Sequence, residues 1–273
     1  MFKTVALLFF AAGLPLAAQW INYPDSRIPR NPDGSPDLTA PAPMLDSKPD
    51  LTGLWEAERT PISEFESVLG AGASNLQVDF SDINKYVVNV FWGIPPEDAP
   101  LKPAAAEIMQ QRQASGALAT QTRCLPSSIP FGLFTFTFKF VQAPDEIIML
   151  PEVADPPRQI FTDGRALPED PNPSWMGYSV GHWEDDTLVV ETTGLNDRGW
   201  LDGMGHPRSE SMHITERYHR RDVGHMDIEI TFDDPEYYTR PFTIQTYANL
   251  LPDSDLFEYV CTENERDQDH MGN

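Results

Sequence analysis

The chain has 273 residues, 40% hydrophobic and 22% charged, which is enough apolar material for a sizeable core in one domain or two small ones. Acidic residues outnumber basic ones by 42 to 19, a formal charge of −23 that repels phosphate backbones and anionic membrane faces and argues against nucleic acid as a partner. The 2 cysteines have the spacing of neither a zinc site nor a redox motif.

Residues 1–18, MFKTVALLFFAAGLPLAA, have the pattern of a secretory signal peptide: Lys3 in the n-region, Val5 to Leu14 as the apolar stretch, Pro15 as a break and Ala18 for cleavage. Cutting there removes one Lys and no acid, so −23 becomes −24. No cysteine follows to accept a lipid, and no later stretch holds the ~18–20 apolar residues of a membrane helix. The expected address is secreted or periplasmic. In an oxidising compartment Cys124 and Cys261 are expected to form one disulfide, the alternative being two buried thiols.

Residues 19–52 are rich in Pro and Asp with little periodicity, which suits an extended segment wrapped on the surface or a linker, and Pro-Asp-Leu-Thr occurs twice, at 36–39 and 49–52. Regular structure is expected to begin at Gly53-Leu54-Trp55 and to continue to residue 265, with 266–273 as a tail. One short helix is predicted, from Pro103 through AAAEIMQQRQAS to Gly116. Beyond Cys124 the pattern turns to period two: Phe134, Phe136, Phe138 and Phe140 fall on one face of an expected strand. EIIML, RQIFT, YSVGHW, TLVVETT, MHITERYH, MDIEITF, FTIQTYA and LFEYVC follow, separated by turn signals such as Asp163-Gly164 and Glu184-Asp185-Asp186. About nine strands between 132 and 262 with no helix between them predict a mainly β, antiparallel up-and-down meander that closes into a barrel, since closure removes exposed edges.

Two resemblances follow from these strings. Gly53-Leu54-Trp55 opening a first strand before a meander resembles the G-x-W of lipocalin and calycin barrels, which implies a barrel around an apolar ligand; the stretch from Trp55 to Phe134 is longer than that pattern has. PDLTGLW, GYSVGHWEDDTLVVETTG and HITERYHR resemble an uncharacterised family of secreted bacterial proteins, and that resemblance implies export but lends no reaction.

The chemistry therefore comes from the residues. Gly177-Tyr178-Ser179-Val180-Gly181 fits G-x-S-x-G, but the nucleophile elbow needs a helix next, and here a turn and a strand follow, so Ser179 reads as a strand residue. A hydrolase reading would take Asp202 and His213 as its other triad members. Asn196, Asp197, Trp200 and Asp202 lie in a loop able to form a pocket rim, or simply a decorated turn. Alternation puts Met212, Ile214, Glu216 and Tyr218 on the inward face of one strand, so Glu216 is either a desolvated acid-base group or half of an internal ion pair with Arg158 or Arg165. His206, His213, His219 and His225 lack a metal-ligand spacing, and no metal or other cofactor is expected.

The reading that results is a barrel binding a small apolar or aromatic molecule, with Arg158, Tyr178, Asn196, Asp197, Trp200, Arg217 and Tyr218 around it. If it is a cofactor-independent acid-base enzyme, His213, Glu216 and Asp202 carry the reaction. His213 joins Glu216 only if a bulge turns it inward. A carbohydrate-binding sandwich presenting Trp175, Trp183 and Trp200 is the further alternative.

Overall fold

The computed structural model describes residues 24–69, 83–114, 124–127, 129–135, 137–152 and 155–258. The expected signal peptide and Cys261 lie outside the described residues. A first short hairpin pairs β1 (Met44–Leu45) with β2 (Lys48–Pro49). β3 (Gly53–Ala57) then opens the barrel, and before the next strand come four helical segments: α1 (Ile62–Leu69), α2 (Lys85–Val88), α3 (Pro103–Ala114) and α4 (Phe131–Thr135). The predicted helix is α3; the other three were not foreseen. The remaining strands are β4 (Phe138–Gln142), β5 (Glu146–Pro151), β6 (Arg158–Phe161), β7 (Tyr178–Glu184), β8 (Thr187–Thr193), β9 (His213–Arg220), β10 (His225–Asp233) and β11 (Phe242–Leu250).

β3 to β11 form a closed barrel in which each strand neighbours the next in sequence and β11 returns to β3 through Ala248↔Ala57 and Leu250↔Trp55. The antiparallel expectation needs one correction: β6 and β7 run parallel, in register at Ile160↔Ser179 and Phe161↔Val180. Residues 162–177 carry the chain back outside the barrel from the end of β6 to the start of β7. Entry into β7 requires glycine, because Gly177 has φ +65° and a Cβ there would stand 2.6 Å from the Thr193 carbonyl oxygen.

Two further expectations change. Of the four alternating rings Phe138 and Phe140 lie on β4, Phe134 belongs to α4, and Phe136 lies outside the described residues. Leu256–Glu258 of LFEYVC are not in a strand, and the ninth barrel strand is β3 instead.

Register fixes the inward face. It carries Trp55, Phe138, Phe140, Ile147, Met149, Ile160, Leu188, Val190, Ile214, Tyr218, Ile228, Ile230, Phe232 and Ile244, all buried, so side chains fill the barrel along its length. The two ends differ. At one end long connections pack together: residues 83–92, α4, 195–212 and 234–241 bring Val90, Phe91, Leu133, Leu201 and Tyr238 into the core. At the other end stand the short turns 143–145, 185–186 and 221–224. A strap, residues 24–51, crosses them, its backbone carbonyls of Leu38 and Ala40 accepting from Gly224 (2.8 Å) and Val223 (2.9 Å). Among the described residues no helix is long and apolar enough to cross a membrane.

Candidate functional site

The structure distributes the sequence-predicted residues over three places: the barrel core, the end closed by long connections, and the outer face. In the core, Glu216 points inward as its strand alternation required. It is fully buried and pairs with Arg158 from β6, whose Nη1 donates to Oε1 at 3.0 Å while Nη2 engages Oε2. Arg158 also donates from Nε to Ser179 Oγ (3.1 Å) and from Nη2 to Thr192 Oγ1 (2.8 Å), and the Tyr218 hydroxyl donates to Glu216 Oε1 (2.6 Å). Burial alone would pull the guanidinium down, but Glu216 more than offsets this and holds it above its ordinary value. Burial, reinforced by Glu216, pushes the Tyr218 phenol well up.

This cluster disposes of the hydrolase alternative. Ser179 is buried on a straight strand and bonded to Arg158 and Thr192. The glycines of the G-x-S-x-G string have barrel reasons as well: Gly177 makes the turn, and a Cβ on the inward Gly181 would stand 3.0 Å from Ile160 and 3.2 Å from Leu188. His213 does not join Glu216. No bulge intervenes, so it faces outward with Nε2 3.8 Å from Glu191. Arg217 also faces outward, donating to Glu184 (2.8 Å), and Tyr178 lies on the outer face, its hydroxyl accepting from Arg165 (3.1 Å).

At the closed end, the Asn196 to Asp202 loop is folded inward more than a pocket rim would be. Asn196 is buried and its Oδ1 accepts from Arg208 (3.1 Å); Asp197 is exposed; Trp200 is buried beneath the Arg112 guanidinium, 4.8 Å from its ring. That removes Trp200 from any exposed stacking platform, and Trp175 and Trp183 pack partly against the core. Asp202 is fully buried and accepts four hydrogen bonds: from Val90 N (2.8 Å), Gly205 N (3.1 Å), His206 N (3.2 Å) and His206 Nδ1 (2.5 Å). The His206 ring meets Phe91 edge to face at 4.8 Å. Sequence reasoning passed over this Asp-His pair by reading His206 only as part of a histidine cluster, although Asp-x-x-x-His spacing was present. The four histidines in fact stand beside separate acids: His206 with Asp202, His213 with Glu191, His219 with Asp186 and Asp227, and His225 with Asp222.

Since side chains fill the barrel, the space for a ligand lies elsewhere. A cleft of about 700 Å³ opens at the short-turn end, between the strap, the start of β3 and residues 250–255. Ile28, Leu54, Val223, Leu250 and Leu251 supply its apolar lining, and Arg27, Lys139 and Arg220 its cations. Asp25, Asp50, Asp253 and Asp255 line it too. Arg27 is paired with Asp25 (2.7 Å) and Lys139 with Asp255 (2.6 Å). The strap is held over the cleft by Arg30, whose guanidinium grips both oxygens of Asp253, with Nη1 2.6 Å from Oδ2. None of the sequence-predicted binding residues lines this cleft. Comparison of the chain with protein-family models, with curated proteins and with solved structures finds no match.

Proposed function

We propose that this chain is an exported β-barrel protein of the secreted bacterial family its strings resemble, and that it binds a small molecule with an apolar body in the cleft beneath the strap. Export puts Cys124 and Cys261 where a disulfide forms. The observation that carries the reading is the cleft: its volume suits a small ligand, and five aliphatic side chains line it beside three cations and four carboxylates. The neutral aromatic probe N-phenyl-1-naphthylamine tests it. Fluorescence is expected to rise and shift to the blue with the native protein, and Ile28→Glu and Leu251→Trp, both at half-buried positions, are expected to abolish the change at unchanged melting temperature. Binding indifferent to both substitutions, or no binding, would overturn the proposal.

One observation favours a second reading, an acid-base enzyme without cofactor: the Asp202–His206 pair, in which a buried carboxylate orients an imidazole. In that reading Asp202 keeps its sequence-assigned place and His206 replaces His213. Turnover of a small ester or enolisable ketone that His206→Gln abolishes while probe binding persists would establish this reading in place of the first.

A further inference from the structure

Among the described residues the inner face of the barrel carries the buried arginines Arg158 and Arg220, and they are treated differently. Arg158 has a carboxylate partner in Glu216. Arg220, at the end of β9, is 4% exposed and has none within ion-pair distance among the described residues. Its N–H groups donate to three backbone carbonyls: Asp222 at 3.1 Å, Val223 at 2.5 Å, and Asp50. Its guanidinium lies over the Trp55 ring, 4.9 Å from the centroid. Burial pulls it down to about 10 against the pull of Asp50 and Asp222, so it is still charged at neutral pH. A buried cation held only by neutral acceptors is costly unless a counter-charge reaches it.

This cation lines the cleft. The other charges around it are already committed: Arg27 to Asp25, Lys139 to Asp255, and Asp253 to Arg30. The Asp50 carboxylate accepts from Thr52 N at 2.8 Å and stands beyond ion-pair distance from the guanidinium. The apolar lining of Ile28, Leu54, Val223 and Leu250 belongs to the same cleft. The net charge of −23 does not bar an anion here, because exposed acids farther off than about 8 Å are largely screened at physiological salt, whereas a nearly buried partner is not.

Resting on the binding function proposed above, we infer that the ligand is an amphipathic carboxylate, its anionic head against Arg220 and its aliphatic or aryl body on the apolar lining. Carboxylate and guanidinium match as paired acceptors and donors, and the cradle of carbonyls fixes the guanidinium in place before the ligand arrives.

Three ten-carbon probes at sub-micellar concentration separate this inference from the one beneath it: decanoate, decanol and decyltrimethylammonium, followed by calorimetry on the native protein. Decanoate is expected to bind about tenfold or more tighter than decanol, the size of one charge-assisted contact, and the cation weakest. Arg220→Met is expected to bring decanoate and decanol to equal affinity, and Arg220→Lys to keep part of the difference. Equal binding of decanoate and decanol by the native protein would overturn the carboxylate assignment and leave the binding function standing. Failure of all three probes would remove both. Should Arg220→Met not fold, the native comparison and Arg220→Lys decide the matter, since a lysine variant that keeps the whole preference also overturns the role of Arg220.

Discussion

Replacing Glu216 by Gln should be among the most damaging isosteric changes this barrel can suffer. The side chain keeps its shape and its Oε1 can still accept from Tyr218, so packing is preserved and only the charge goes. Arg158, 2% exposed, is then left with neutral acceptors, the amide oxygen and the Ser179 and Thr192 hydroxyls, and no counter-ion. Stranding one member of a buried pair costs about 3–5 kcal/mol, which for a domain of this size is roughly 6–20 °C of melting temperature. Removing the polar cluster together, with Arg158→Met, Glu216→Leu and Tyr218→Phe, should restore stability to within ~1 kcal/mol of the native protein or above it, because no charge or hydroxyl is left without a partner. The pH dependence that Arg158 contributes has one sign. Its folded value is raised, so its contribution is complete below the ordinary arginine value and is lost only as pH rises through the higher folded one; across about pH 5 to 9 it is flat. Thermal unfolding of the single and combined variants over that range is the assay. A Glu216→Gln loss below ~1 kcal/mol, or a combined variant as unstable as the single one, would refute the argument that the stranded charge is what costs.

Ser179→Ala should cost about 1 kcal/mol through the lost bond to Arg158 and change no activity, and a fluorophosphonate should leave Ser179 unlabelled; labelling there would contradict its burial. The strap should respond to acid in one direction. The hydrogen bond from Arg30 holds Asp253 below its ordinary value, so the clasp is intact above that value and is lost as pH falls through the lower folded one. Limited proteolysis between residues 24 and 51 should therefore be slow at pH 5 and faster only well into the acid range, while Asp253→Asn should be cut quickly at both; a native protein cut equally fast throughout would show that the clasp does not hold the strap. Non-reducing peptide mapping of the exported protein should recover one peptide containing both Cys124 and Cys261, and two free thiols would remove the disulfide.

What the sequence made legible was whatever depends on period two. Glu216 shares its strand face with Ile214 and Tyr218, so its inward position followed from alternation, while its partner stayed open between Arg158 and Arg165. Register also accounts for His213: three positions from Glu216 on an unbulged strand, it had to face solvent. The failures lie where short patterns admit two conformations or where a distant segment decides. Phe134 opens the aromatic alternation, yet it ends the segment Phe131-Gly132-Leu133-Phe134, which forms a helical turn after Pro130 with Phe131 and Leu133 buried in the core; so short a pattern cannot settle the period. Leu256–Glu258 have strand composition, but once Ala248–Leu250 pairs with Trp55–Ala57 both free edges of the sheet are used and these residues find no place in the barrel. The cleft was invisible for a related reason. Its lining comes from residues 24–28, 50–54, 220–223 and 250–255 with Pro43 and Lys139, which only barrel closure and the strap bring together. Arg220 carries no local signal of its role, because its neighbours in sequence, His219 and Arg221, are outward polar residues beside Asp227 and give it the look of another surface side chain. Parity alone distinguished it: an even-numbered β9 residue belongs with Ile214, Glu216 and Tyr218 on the inner face, and a charge on that face must find either a partner, as Glu216 does, or an opening, as Arg220 does.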